Sequence, residues 1–317
     1  MMQYNEINGR RVSKMSLGTV QLGLNYGIAN SEGKPDRDKS FSILSAALEA
    51  GITAFDTARA YGDSEEVLGA FFKANPDYKE KIFLTTKLSS GLPAGSSKIA
   101  VEKALTQSIE TSLENLGLSK INCLLLHNAA DMTIHGSVVS ETLRRLQTRG
   151  LIEMAGVSVY HPEETDIMLN DDVYQAVQFP MNVFDQRFLK SGALDRLYKK
   201  NIHVFIRSVF LQGLFFLDLE KITDPDLVRC AVPHIKMLNN LSQQAGMSIA
   251  GYAVAFLRDL PGISSLVLGA DNPDQVKKNA VLFAVNPLDE NQHLLAQNSF
   301  GNVDYSGIMS VLSRPKA

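Results

Sequence analysis

Short apolar runs alternate along this chain with longer segments whose apolar residues recur at every third or fourth position. Runs of the first kind are typical of buried strands, and segments of the second kind are typical of helices that cover a core with one face. The clearest helical segment stops at a glycine, Gly117, and places its apolar residues at Val101, Leu105, Ile109, Leu113 and Leu116. The pattern as a whole predicts strand–helix units that repeat along the chain.

Eight such units follow an amino-terminal segment that has the pattern of a hairpin. This segment spans residues 4–14 and contains Asn8-Gly9, a dipeptide typical of two-residue hairpin turns. The last helix is predicted to begin at Asn272-Pro273, a capping residue followed by a favoured first residue. The predicted strands cover residues 16–23, 52–56, 82–87, 122–127, 154–160, 175–182, 203–210 and 264–269.

This repetition predicts a closed (β/α)8 TIM barrel with an N-terminal β-hairpin, formed by residues 1–317 as a single domain. An open parallel sheet is the alternative. The glycines at 18, 23 and 27 fit neither the dinucleotide-binding fingerprint nor the phosphate-binding loop of nucleotide hydrolases. A Rossmann domain is therefore not expected.

Four ionisable side chains stand at or just after the ends of three successive predicted strands. Asp56 ends the first of these strands and Tyr61 follows it, while Lys87 and His127 end the next two. Because the carboxyl ends of parallel strands meet at one face of a barrel, we expect the four side chains to lie together. Taken singly, each also has an ordinary interpretation as a solvated charge, a capping residue or a buried core histidine.

Composition excludes several classes of protein. Hydrophobic residues make up 45% and charged residues 21% of the chain, and a net charge of −3 gives no basic surface for nucleic acid. No apolar run approaches the roughly 18 residues of a membrane span, and the amino terminus has no hydrophobic signal core, so we expect a cytoplasmic protein. Cys123 and Cys230 suggest no disulfide framework, and the histidines form no ligand pair, so no metal is expected.

The strand-end residues suit chemistry on a carbonyl group. A phenol has a reference pKa of about 10, so Tyr61 is a poor proton donor and acceptor at neutral pH unless an ammonium group such as Lys87 favours the phenolate. Asp56 is expected to keep Lys87 charged and in place, and His127 to hydrogen bond a substrate oxygen. Reduction of that carbonyl by a hydride would require a cofactor, because no side chain supplies a hydride.

With the sequence around them, these four residues resemble the aldo-keto reductase family. The resemblance extends along nearly the whole chain, and the order and spacing of its motifs make it specific. It implies a nicotinamide-dependent oxidoreductase, using NADP or NAD, that interconverts an aldehyde or ketone and an alcohol with Tyr61 as general acid/base. Its substrate would be a small carbonyl compound or a sugar. The motifs are FDTARAYG at 55–62, LLLH at 124–127, GTVQLG at 18–23, GVSVY at 156–160, VQFPMN at 177–182 and LGADNPDQVKKN at 268–279.

The resemblance also implies which residues contact the cofactor. Ser158 and Gln178 would hold the nicotinamide carboxamide, and Gln275 and Asn279 would lie near the adenine. The remaining positions carried over are Ser208, Leu211 and Gly213 along the pyrophosphate, and Gly269 and Asp271 after the last strand.

Two of the cofactor positions depart from the family pattern. Arg207 stands where an aromatic residue commonly stacks on the nicotinamide; a guanidinium can stack too, or bind an acidic substrate or a phosphate, or pair with a buried acid. Asp271 stands where NADP-using members often have a basic residue. A carboxylate repels a 2′-phosphate and can accept a hydrogen bond from a free ribose hydroxyl, which favours NAD. The structural alternative for Asp271 is a place at the start of the last helix.

Other functions remain open on the sequence alone. The chain can be read as a nicotinamide-binding regulatory or sensor barrel with little turnover, or as a sugar (aldose) dehydrogenase that works in the oxidising direction. Substrate choice is expected to lie in the loops 22–35, 89–97, 128–136 and 211–232 and in the carboxyl-terminal tail. The sequence leaves the oligomeric state open.

Overall fold

A computed structural model describes residues 1–27, 30, 33–88, 91 and 93–314. In this part of the chain, eight parallel strands form a closed barrel in the order β10-β3-β4-β5-β6-β7-β8-β9. The strands β1 and β2 form a separate antiparallel sheet. Helices follow the barrel strands. The predicted (β/α)8 barrel and its amino-terminal hairpin are confirmed. The strands are β1 Tyr4–Ile7, β2 Arg10–Ser13, β3 Met15–Gly18, β4 Ala54–Asp56, β5 Phe83–Leu88, β6 Ile121–Leu126, β7 Ile152–Ser158, β8 Tyr174–Pro180, β9 His203–Arg207 and β10 Ile263–Gly269.

The α-helices of the described residues are α1 Val20–Gly23, α2 Arg37–Glu49, α3 Ser64–Ala74, α4 Lys98–Leu116, α5 Asp131–Ile134, α6 Ser137–Thr148, α7 Pro162–Met168, α8 Arg187–Lys190, α9 Ala193–Lys199, α10 Pro225–Cys230, α11 Val232–Gln244, α12 Ile249–Arg258, α13 Pro273–Val281, α14 Glu290–Phe300 and α15 Tyr305–Leu312. Short 3-10 helices lie at Pro76–Tyr78, Leu211–Phe216, Leu219–Lys221 and Leu282–Ala284. As predicted, Gly117 ends α4 in the left-handed conformation, and the Asn272 side chain caps α13. None of these helices combines the length and the apolar character needed to cross a bilayer.

The hairpin closes the amino-terminal end of the barrel. Ile7 pairs with Arg10 across a two-residue turn, and both turn residues, Asn8 and Gly9, have positive φ, as a type I′ turn requires. Ile7 and Val12 are almost fully buried and belong to the same apolar cluster as the inward-facing residues of the barrel strands. The hairpin therefore excludes water from one end of the barrel and leaves the other end open.

The inward-facing positions of the strands change from apolar to polar along the barrel axis. The inner apolar cluster contains Ala54, Phe83, Cys123, Leu125, Met154, Ala176 and Phe205. Side chains alternate between the two faces of a strand, so residues two or four positions further on share the inward face. Those residues are Asp56, Lys87, His127, Ser158, Gln178 and Arg207. A ring of polar groups thus lies on top of an apolar plug.

The predicted first barrel strand is wrong beyond Gly18, because the helical turn α1 occupies Val20–Gly23. Thr19 bends the chain at this point by donating hydrogen bonds from both N and Oγ1 to the carbonyl oxygen of Asp56, each at 2.9 Å. A Cβ on Gly23 would lie 1.7 Å from the carbonyl oxygen of Tyr61. The glycine thus lets this turn lie directly against the Tyr61 segment.

The helix that begins at Asn272-Pro273 was predicted to be the last one, but the tail after α13 contains two more helices, α14 and α15. The pattern of α14 is misleading because Leu294 and Leu295 are 54% and 46% exposed, whereas Ala296 and Phe300 are the fully buried residues. Phe300 packs against Phe184 with ring centroids 5.1 Å apart. The apolar positions of this helix therefore do not identify its buried face.

Candidate active site

A cavity of about 340 Å³ opens at the carboxyl ends of the barrel strands. Its volume suits a small-molecule site. Of the site residues predicted from the sequence, the cavity wall contains all except Leu211. They are Asp56, Tyr61, Lys87, His127, Ser158, Gln178, Arg207, Ser208, Gly213, Gly269, Asp271, Gln275 and Asn279.

Lys87 is a buried ammonium group with an acceptor for each of its three protons. Its side chain is 1% exposed, and Nζ donates to Asp56 Oδ1 at 2.7 Å, to the Thr57 carbonyl oxygen at 3.0 Å and to Tyr61 Oη at 3.3 Å. Burial by itself lowers the pKa of Lys87, but the charge of Asp56 and the hydrogen bonds to Asp56 and Tyr61 raise that pKa above its ordinary value. Lys87 is therefore charged at neutral pH.

Tyr61 accepts a hydrogen bond from Lys87 and keeps its own proton available for another partner. Its hydroxyl donates no hydrogen bond to any described residue, and the side chain lines the cavity. A group that accepts from a cation and donates toward a cavity can give its proton to a ligand oxygen there. Lys87 Nζ is then close enough to stabilise the phenolate that remains.

Gln178 connects the acid of this cluster to the cavity. Its Nε2 donates to Asp56 Oδ2 at 2.7 Å, so both carboxylate oxygens of Asp56 have a donor. The same contact assigns the amide orientation, because a carboxylate accepts and the amide nitrogen has to face it. Gln178 Oε1 is buried and has no hydrogen-bond partner among the described residues. The cavity therefore presents an unused acceptor that matches a ligand N–H group.

His127 is held in its neutral form. Burial, together with the charge of Lys87, lowers its pKa to about 4. Its ring meets the Tyr61 ring edge to face, with centroids 5.9 Å apart. A neutral imidazole carries one N–H donor and one acceptor, so His127 can donate to an oxygen close to Tyr61 without bringing a charge to the site.

The segment after β9 has an unusual backbone. Ser208, Leu211, Gln212 and Gly213 all have positive φ, between 49° and 95°. Non-glycine residues in this region are strained and concentrate at ligand sites. The Leu211 amide hydrogen bonds the Ser208 carbonyl oxygen at 3.0 Å, and Asn182 Nδ2 donates to the same oxygen at 3.2 Å. These contacts hold the segment in place over the cavity.

Leu211 differs in its position from the other residues predicted to contact the cofactor. Its side chain is fully buried in the apolar core and does not line the cavity, so only its backbone can serve a ligand. The neighbouring phenylalanines divide in the same way. Phe215 is buried against Phe184, with ring centroids 4.9 Å apart, whereas Phe216 is 51% exposed and lines the cavity. The strained segment therefore has one side anchored in the core.

The far end of the cavity is formed by the residues around the start of α13. Asn279 Nδ2 donates to the Gly269 carbonyl oxygen at 3.1 Å, and the Asp271 amide donates to Gln275 Oε1 at 2.6 Å. The Asn272 side chain accepts the Gln275 amide at 2.9 Å. This end of the cavity is therefore shaped by amide side chains around a helix start.

Comparison with known proteins identifies the family. The model of the Aldo/keto reductase family matches residues 14–297. This chain belongs to the aldo/keto reductase family. The family and its reductase-named members support an NAD(P)-dependent carbonyl oxidoreductase that acts on small molecules.

Relatives of this aldo/keto reductase carry different names. An L-glyceraldehyde 3-phosphate reductase from Escherichia coli (strain K12) is 26% identical over 92% of this chain and 89% of its own length. A probable voltage-gated potassium channel subunit beta from Oryza sativa subsp. japonica is 23% identical over 90% and 93%. The holo form of an aldo-keto reductase from Bacillus halodurans has the same fold, with a TM-score of 0.76, 21% identity and coverage of 94% of this chain and 96% of that one.

Several cavity residues of this aldo/keto reductase were missed by the sequence analysis. They are Gln21, Tyr26, Tyr160, Phe210 and Gln212. Tyr160 was detectable, since it lies two positions after Ser158 on the same strand parity. Gln21 was hidden by the wrong extension of β3; its Oε1 is buried without a partner among the described residues. Within that part of the chain, no group of three or more His, Cys, Asp or Glu residues is placed to hold a metal ion.

The lowered pKa of His127 predicts a pH-dependent loss of stability. The unfolded chain binds a proton at His127 near pH 6.5, whereas the folded protein binds it only near pH 4. The stability that neutral His127 contributes is therefore fully present above pH 6.5 and is lost as the pH falls from 6.5 through about 4. Between pH 7 and pH 4.5, we expect the free energy of unfolding to fall by roughly 1–2 kcal/mol less in His127→Gln than in the unchanged protein. The difference is kept this small because the ring is partly exposed and solvent screens it. Urea unfolding of both proteins at the two pH values measures this difference. Equal losses of stability in both proteins would contradict the prediction.

Proposed function

We propose that this aldo/keto reductase interconverts an aldehyde or ketone and an alcohol, with Tyr61 as the general acid/base and a nicotinamide cofactor. The observation that carries the proposal is the single ammonium group of Lys87, which is buried, fully hydrogen bonded and in contact with Tyr61 Oη. Such an arrangement stabilises a phenolate, the form in which Tyr61 is left after it protonates a carbonyl oxygen.

In the reducing direction, the carbonyl oxygen accepts hydrogen bonds from the Tyr61 hydroxyl and from the N–H of neutral His127. A bound nicotinamide would supply the hydride for the carbonyl carbon, and negative charge would then develop on the carbonyl oxygen. Tyr61 transfers its proton to that oxygen, and Lys87 stabilises the phenolate until a proton returns from water. Asp56 keeps Lys87 charged and fixed, and Gln178 fixes Asp56. In the oxidising direction, the Tyr61 phenolate takes the proton of the alcohol.

The residues of the cavity fit a nicotinamide cofactor. Gln178 Oε1 is a buried, unused acceptor of the kind that a carboxamide N–H needs, and Ser158 lies beside it on the adjacent strand. We assign Ser208, Gly213 and the backbone of Leu211 to the pyrophosphate. Further assignments are Gly269, Asp271, Gln275 and Asn279 to the adenosine half, and Arg207 to the region beside the nicotinamide.

We propose that the cofactor is NAD rather than NADP, because Asp271 is the acidic residue at the adenosine end. Tighter binding of NADH than of NADPH is the expected result. It can be followed through the quenching of tyrosine emission, since the chain has nine tyrosines and no tryptophan. Asp271→Arg should shift the ratio of the two dissociation constants toward NADPH by about tenfold or more, since it replaces repulsion of the 2′-phosphate by attraction.

Asp274→Arg is the matched control for this experiment. It makes the same change of charge on the first turn of α13, at an exposed residue outside the cavity. The ratio should stay near that of the unchanged protein. If the unchanged protein prefers NADPH and Asp271→Arg does not increase that preference, the assignment to NAD is contradicted. The reductase proposal is not affected by that result.

Two other functions are tested by the same material. The rice relative is named as a channel subunit, so a barrel that acts mainly through a partner protein is the second candidate. Measurable turnover that depends on Tyr61 excludes it. A sugar dehydrogenase is the third, and it predicts faster rates with aldoses and oxidised cofactor than with aldehydes and reduced cofactor.

A further inference from the structure

Arg207 is a cation in the cavity that no carboxylate of the described residues neutralises. Its strand parity places it on the inward face above Phe205, in the ring of polar groups at the barrel mouth. The side chain is partly buried, and it makes no ion pair and no side-chain hydrogen bond with any described residue. A guanidinium has five N–H donors, and desolvating them without acceptors is costly. These donors are therefore available to a ligand.

Tyr160 contacts the guanidinium of Arg207 with its ring. The guanidinium carbon lies 4.2 Å from the centroid of the Tyr160 ring, which is a cation–π contact. Tyr160 itself follows β7 and lines the same cavity. A cation–π contact uses none of the N–H donors of a guanidinium as hydrogen bonds, so these donors can bind a carboxylate or a phosphate through two parallel hydrogen bonds.

Near the reacting groups, Arg207 is a charge without a counter-ion in the part of the chain that the structure describes. Lys87 and Asp56 form an ion pair, and His127 is neutral at neutral pH. The positive charge of Arg207 extends to the catalytic groups, since it contributes to the lowered pKa of His127 after burial and Lys87. The part of the cavity next to the catalytic groups is therefore electropositive and favours a negatively charged ligand.

We propose that Arg207 selects carbonyl substrates that carry an anionic group, a carboxylate or a phosphate, at a distance from the reacting carbon. This inference rests on the proposed function. The anion binds at the edge of the guanidinium while the carbonyl oxygen lies between Tyr61 and His127. Arg207 then contributes binding and orientation of the substrate, and the proton transfer remains with Tyr61.

Matched pairs of aldehydes test the proposal. Succinic semialdehyde is compared with its methyl ester for the carboxylate, and glycolaldehyde phosphate with glycolaldehyde for the phosphate. We expect a higher kcat/KM for at least one anionic member, and we expect Arg207→Met to reduce that anionic-to-neutral ratio by roughly 10- to 100-fold, as for loss of a hydrogen bond to a charged group. The loss should appear mainly in KM, and Arg207→Lys should restore part of it. The pair with the larger loss identifies the anion.

Binding without turnover gives an independent measurement. The product of succinic semialdehyde reduction, 4-hydroxybutyrate, is titrated calorimetrically into the unchanged protein and into Arg207→Met. For the carboxylate case, the dissociation constant should rise by the same roughly 10- to 100-fold. Arg149→Met is the control for charge alone, because it removes an exposed arginine at the end of α6, outside the cavity. This variant should keep the anionic-to-neutral ratio of kcat/KM that the unchanged protein has.

Each contrary outcome has a separate meaning. If neutral aldehydes turn over in a Tyr61-dependent way but neither ratio exceeds one, or neither changes in Arg207→Met, the inference is overturned and the proposed function stands. If Arg207→Met instead weakens cofactor binding and leaves both anionic-to-neutral ratios unchanged, Arg207 binds the nicotinamide cofactor and the inference is likewise overturned. If none of the four aldehydes shows Tyr61-dependent turnover, both the proposed function and the inference fail.

Discussion

Tyr61→Phe is expected to lower kcat by roughly 10²- to 10⁴-fold, the range in which a positioned general acid contributes. The change deletes the hydroxyl that lies 3.3 Å from Lys87 Nζ and leaves the ring and the Lys87–Asp56 pair in place. Because the cofactor assignments do not involve this hydroxyl, the dissociation constant of the reduced cofactor should change little. The measurement is the rate at which a neutral aldehyde consumes reduced cofactor, together with a cofactor titration.

Tyr198→Phe is the matched control for that loss. Tyr198 lies on α9 and is 53% exposed, so removing its hydroxyl tests the chemical change without touching the cavity. Its kcat should equal that of the unchanged protein. If Tyr61→Phe retained most of the activity, the proton would have to come from another group and the assignment of Tyr61 would be withdrawn.

Lys87→Met is expected to reduce both activity and stability. It removes the group that stabilises the Tyr61 phenolate, so kcat should fall by at least about 10²-fold. It also leaves Asp56 buried without its cation, a change that typically costs about 3–5 kcal/mol in the free energy of unfolding. Since the pKa of Lys87 is raised, its charged form contributes stability that is fully present at neutral pH and is lost as the pH rises from the ordinary 10.5 through the folded-state pKa.

The double variant Lys87→Met/Asp56→Asn separates the two effects. It removes the unpaired carboxylate, so urea unfolding should recover much of the lost stability while activity stays low. Lys73→Met, at an exposed position on α3, should change neither quantity. Loss of activity without any loss of stability in Lys87→Met would contradict the view that the buried pair supports the fold as well as the chemistry.

Much of the fold and part of the site were predictable because both depend on local periodicity. The alternation of short apolar runs with helical segments identified the eight barrel strands, and strand parity above the apolar plug accounts for the inward position of Asp56 and Lys87. The boundaries were less accurate. The first strand was extended through a helical turn because Val20–Gly23 alternates in a way that fits either element.

The tertiary structure decided the contacts that cross the barrel and the conformations that depend on them. The hydrogen bond from Gln178 to Asp56 joins residues 122 positions apart, and the sequence reading had assigned Gln178 to the cofactor alone. The burial of Leu211 and the position of Arg207 over Tyr160 are of the same kind.

The sequence by itself determined the order of the strands and helices, the inward-facing residues of each strand and the residue types at the barrel mouth. These features follow from apolar residues that recur every two positions in strands and about every 3.6 positions in helices. Only the closed barrel decided which of these residues meet, because closure brings together positions that no local pattern relates. That closure produces the buried Asp56–Lys87–Tyr61 contacts. It also leaves the Gln178 acceptor and the Arg207 charge without a partner among the residues that the structure describes.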